Sequence, residues 1–239
     1  MWRPLIEHAA EHLAAGKLLS TEADAFWLPD TAGTDYHQQH VKTTIVLNDL
    51  DVAGERLGYF HNAGYYRLEG EDFRQLFQPR ELPLYAELVR FDRLQRRTPD
   101  AMAEVSWQLL QEHFAWRPAS NPVERFAGRF ASDLPQLHER GLAHYHAWAF
   151  TTVRQLGAAF ELAAACLRWL QPYRPEAPLS AAAEQFDVIA QESKALILKG
   201  ARVVNARRTF DARQALAPTA EAWAQGMALL APALARSEP

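Results

Sequence analysis

In the first third of the chain, apolar and polar residues alternate. Beyond residue 97 they recur at helical spacing. The clearest alternation is "HVKTTIVLND" (40–49), with Val41, Thr43, Ile45 and Leu47 on one face of a strand and Lys42, Thr44, Val46 and Asn48 on the other. Before it the pattern predicts a helix over Pro4–Ala15 closed by Gly16, a strand over 17–29 stopped by Pro29, and a polar loop over 30–39. After it come a turn (49–55), strands at 56–62 and 65–69 around "AG", a short helix at 70–77 and a last strand at 82–92. In the second part, Thr98 caps a helix that begins "TPDAMAEV". An apolar helix spans 145–170, a third runs 180–204 from a Ser180 cap, and a fourth covers 213–235 with Pro218 as a kink point. The expected fold is therefore α+β: a β-rich lobe of antiparallel strands over residues 1–97, and an all-helical domain over 98–239 packed against it. "RRTPD" (96–100) is the seam.

Composition narrows the function. With 239 residues, 49% hydrophobic and 23% charged, the chain has material for a proper core. A net charge of −4 argues against a nucleic-acid binder, and Arg202, Arg207 and Arg208 read as a solvated helix end. There is one cysteine, so neither an internal disulfide nor a cysteine-rich zinc site can form, which fits a reducing cytoplasm. No apolar run reaches membrane-spanning length, and the N-terminus lacks the layout of a secretory signal.

The candidate chemistry lies around the best strand. His40 stands at its mouth, where an imidazole can face a cleft and act as a base; the plainer reading is a strand-edge histidine bonded locally. Asn62, 22 residues on, can return on an antiparallel strand and accept from one ring nitrogen, leaving the other for a thiol. His61 competes for that orienting role, although neighbours on a strand face opposite ways. Asp35, His37, His40 and His61 match no metal-site spacing, so no metal and no cofactor is expected. Cys166, flanked by alanine and leucine in mid-helix, reads as a small core residue rather than a nucleophile. No GxSxG elbow is present. The tryptophans, Trp116 among them, read mainly as core.

The runs "FWLPDTAGTDYHQQHVKTTIVLNDLD", "RLGYFHNAGYYRLEGEDF" and "HAWAFTTVRQLGAAFELAA" resemble the bacterial family called domain of unknown function 1839 over nearly the whole chain. The layout is more distantly similar to the butirosin-biosynthesis acyltransferase and to papain-like bacteriocin-processing peptidases. That resemblance implies a papain-like sheet lobe and acyl or aminoacyl transfer from a carrier-protein thioester to a small amine, with amide or thioester hydrolysis as a close variant. It makes His40 the general base and Asn62, or else His61, its orienting residue. It also implies an N-terminal helical segment carrying the nucleophilic cysteine ahead of "WRPL". A chain opening at Met1-Trp2 is then expected to lack that segment, either through a misplaced start or as a true short form. The implied partners are an acyl or peptidyl carrier protein and an amine acceptor, with no nucleic acid and no membrane, and with a homo-oligomer left open. The competing expectation is a non-catalytic binding or scaffold protein for a carrier protein or a biosynthetic enzyme.

Overall fold

The structure, a computed structural model, describes residues 3–78 and 85–235. The chain opening at Met1-Trp2 and positions 82–84 of the expected last strand lie outside the described residues. The chain forms two compact units, Met1–Arg96 and Arg97–Pro239. The fold is mixed, an antiparallel sheet in the first unit and helices throughout the second.

In the first unit, helix α1 (Leu5–Ala14) leads into β1 (Leu18–Asp24). Strands β2 (Lys42–Asp51), β3 (Arg56–His61) and β4 (Gly64–Glu69) follow, then α2 (Gly70–Leu76) and β5 (Ala86–Val89). The sheet is antiparallel in the order β4-β3-β2-β1-β5. Alternation along β2 sends Ile45 and Leu47 into a core with Leu19, Leu57, Tyr59 and Leu68. Helices α1 and α2 supply Leu5, Ala9, Phe73 and Leu76 to the same core. On the opposite face Thr44, Asn48, Phe60 and Tyr65 are exposed. The strand expected over 17–29 is shorter than its apolar content suggests. It stops at Asp24, whose carboxylate accepts from the Phe26 backbone N–H and starts a 3₁₀ turn over Ala25–Trp27.

The second unit holds α3 (Pro99–Ala115), α4 (Pro122–Thr151), α5 (Val153–Leu170), α6 (Leu179–Asn205) and α7 (Ala212–Leu234). Thr98 caps α3 as its position suggests, accepting from the Ala101 N–H. Three details depart from the sequence pattern. The apolar run 145–170 is divided between α4 and α5, because Thr152 leaves helical geometry while its hydroxyl bonds the Trp148 carbonyl at 2.7 Å. Ser180 is not a cap: α6 starts at Leu179, and the Ser180 N–H is taken by the Gln171 side chain. Pro218 sits inside a continuous α7. Helix α6 packs against α4, α5 and α7, and its Phe186, Ile189 and Leu196 anchor a core with Phe130, Tyr145, Leu167 and Trp223. Trp116, by contrast, is 70% exposed, just past the end of α3. Among the described residues no helix is long and apolar enough to cross a membrane.

Candidate functional site

Three histidines of the first unit each meet a different carboxylate, and the loop from Ala25 to Val41 carries or receives every one of these contacts. His40 Nδ1 lies 2.7 Å from Asp24 Oδ2, and its ring stacks on Phe26 with centroids 4.3 Å apart. A carboxylate facing Nδ1 makes that nitrogen the proton donor, so in the neutral imidazole the lone pair lies on Nε2. The ring is 67% exposed and Asp24 only 16%. The result is a held imidazole with an open outer edge, just before β2.

His61 is the buried counterpart. Its Nδ1 lies 2.6 Å from Asp30 Oδ2, and its Nε2 lies 2.8 Å from the Thr43 hydroxyl. The Tyr59 hydroxyl donates to the other Asp30 oxygen. Asp30 and His61 are both buried, so each depends on these partners to replace water. Burial and the adjacent Asp30 carboxylate push the Tyr59 hydroxyl far above the ordinary tyrosine range. His37, with φ +53, bonds Asp72 at 3.0 Å, and the Tyr36 hydroxyl donates to the same carboxylate at 2.7 Å. Asp72 thereby ties the loop to α2, and holds the Tyr36 proton more firmly than usual.

The expected His40–Asn62 couple is not among these contacts. Val46 pairs with Phe60, so continuing the register puts Asn62 level with Thr44. That is four residues from His40, roughly 13 Å at about 3.3 Å per residue. Asn62 occupies the first position of the two-residue β3–β4 turn with φ +52, the conformation such hairpins demand. Its amide nitrogen is 3.4 Å from His61 Nε2, longer than a good hydrogen bond. Asp24 therefore stands where Asn62 was expected, and His61 turns to Asp30. Asp24, Asp30, Thr43 and Tyr59 escape a reading by sequence spacing because strand register and the loop path bring them in. No sequence signal pairs Asp24 with His40: the contact follows from the β1–β2 register, in which Asp24 and Lys42 are partners and His40 lies just before β2.

Asp35, His37, His40 and His61 do not converge. Among the described residues no group of three His, Cys, Asp or Glu side chains could hold a metal ion. Cys166 is a correction: it is exposed on α5, because the buried stripe of that helix runs through Ala164, Leu167 and Leu170.

A model of the DUF1839 N-terminal domain matches residues 1–91, and a model of the DUF1839 C-terminal domain matches residues 99–232. The chain belongs to the DUF1839 family. The histidine–carboxylate contacts of the loop fall in its DUF1839 N-terminal domain, while Cys166 falls in its DUF1839 C-terminal domain. No curated protein matches the chain. The comparisons lend no support to the expected likeness to the butirosin acyltransferase and to papain-like peptidases.

Proposed function

We propose that this protein transfers an acyl or aminoacyl group from a carrier-protein thioester to a small amine, with His40 as general base. The observation that carries the reading is the Asp24–His40 pair: a carboxylate on Nδ1, an exposed ring, and a position at the mouth of β2. In this scheme Nε2 takes a proton from the amine as its nitrogen bonds to the thioester carbonyl carbon. The C–S bond then breaks and the proton passes to the departing thiolate, giving an amide and a free thiol. Asp24 fixes the ring and stabilises the imidazolium while it lasts. The papain-like likeness would add a cysteine and an acyl-enzyme, with the same histidine activating the thiol. Residues 1–96 contain no cysteine, so the step assigned to their own side chains is base catalysis alone.

The test is thiol release from an N-acetylcysteamine thioester in the presence of an amine. His40→Ala should lower the rate by about 10²- to 10⁴-fold, the usual contribution of a positioned base. Asp24→Asn should lower it less while leaving the fold intact. Equal rates for wild type and His40→Ala would overturn the assignment. The second reading, a binding module without chemistry, draws on the half-exposed Phe60–Tyr65 pair, 4.8 Å apart on the open sheet face. It predicts no thiol release by the wild-type protein.

A further inference from the structure

We propose that the corner between α6 and α7 is a docking surface for an acidic protein. On the function proposed above, that protein is the carrier presenting the thioester. Residues 199–213 hold five cations, Lys199, Arg202, Arg207, Arg208 and Arg213, and a single acid, Asp211. This stretch has a net charge of +4, and the rest of the chain sums to −8. All five cations are exposed. Asp211 offsets one of the five, which the +4 already counts; its carboxylate caps α7 by accepting from the Gln214 N–H at 3.0 Å. Among the described residues Arg202, Arg207 and Arg208 have no ion-pair partner, whereas Arg129, Arg168 and Arg174 of the same unit each meet a carboxylate. Glu124 and Glu221 line a groove beside Arg213 and mark the limit of the basic surface.

The backbone adds an independent observation. Helix α6 ends in a Schellman motif, with the Arg207 N–H on the Val204 carbonyl and the Arg208 N–H on the Val203 carbonyl. The motif needs a left-handed residue, and Arg207 fills that place with φ +50. Glycine would take this conformation without the strain that a Cβ brings. A strained cation at a position suited to glycine points to a use for its charge. The favourable end of the α6 dipole accounts for a cation in the last turn, but not for the two beyond it. One turn before Arg202, Leu198 is 63% exposed, an apolar anchor beside the charges. An acidic protein fits better than a nucleic acid, since the negative balance of the remaining chain would repel an extended polyanion.

Dye-labelled holo acyl carrier protein, chosen for its acidic surface, is titrated with the full chain at low and moderate salt. Binding should weaken with salt, and Arg202→Glu/Arg207→Glu/Arg208→Glu should raise Kd roughly tenfold or more. Arg207→Gly is the sharper variant. It should raise the melting temperature by relieving the strain, yet weaken binding by a few-fold, a divergence that a purely structural arginine would not give. His40→Ala should bind like wild type, so loss of transfer with docking intact separates this surface from the catalytic assignment. The proposal is overturned if the triple variant binds like wild type, if wild type does not bind at low salt, or if only a DNA oligonucleotide binds.

Discussion

Asp30 is the residue on which the buried polar chemistry of the first unit converges. It sits in a 3₁₀ turn of the loop and bonds two strand β3 side chains, His61 and Tyr59, both of which are buried. Replacing it with alanine strands both partners. Each unsatisfied buried group costs about 1–3 kcal/mol, so Asp30→Ala should destabilise by about 2–6 kcal/mol in urea titration. Asp30→Asn should cost less, because the amide oxygen still accepts. Alkaline titration probes the same cluster. Tyr59 is held protonated by burial and by Asp30, and burial pushes Tyr145 of the second unit up to about 12. In the unfolded chain both titrate near 10. A raised folded value means their contribution is whole below about pH 10 and is lost as pH rises toward the folded value. Phenolate absorbance should therefore show these tyrosines ionising late, together with loss of structure. A full set of tyrosines titrating near 10 in the folded protein would contradict this.

The strands and helices show why some elements could be read from sequence and others could not. Strand β2 was legible because its alternation is set by one buried face, and α3 because Thr98 and Pro99 carry their own start signal. Helix α4 was missed over residues 122–144: it is amphipathic but interrupted by Pro135 and by Gly141 at φ +79, which break a local pattern that tertiary packing tolerates. The candidate site was half legible. A histidine at a strand mouth is a local feature, whereas its carboxylate partner depends on register between β1 and β2. Close helix packing was not legible either. A Cβ on Gly200 of α6 would lie 2.2 Å from the Tyr145 hydroxyl oxygen, and one on Gly157 of α5 would lie 2.9 Å from Ser193 Cβ. Tyr145 cannot yield, being fully buried with its hydroxyl on the Ile197 carbonyl at 2.9 Å. In an open helix Gly→Ala would stabilise by roughly 1 kcal/mol. At Gly200 overpacking, about 1–3 kcal/mol, should reverse that sign, and thermal melts of Gly200→Ala should move down. An upward shift would show that the notch is not needed.

At the scale of the whole molecule the two units have separate apolar interiors. Among the described residues, one core is drawn from Leu5 to Phe77, the other from Ala103 to Leu234, and no residue belongs to both. Cooperativity follows shared burial, so two interiors with no common member should lose their structure as two events. The single-site changes argued above then become reporters of separate units. Asp30→Ala removes partners only in the first core, and Gly200→Ala overpacks only the second. Calorimetry of the intact chain should show two transitions, with Asp30→Ala lowering one and Gly200→Ala the other. Hydrogen exchange should localise the same split: Asp30→Ala should speed exchange in β2 and β3 and leave α5 and α6 at wild-type rates. If either substitution accelerates exchange across both units equally, the cores are energetically one and the division into independent units fails.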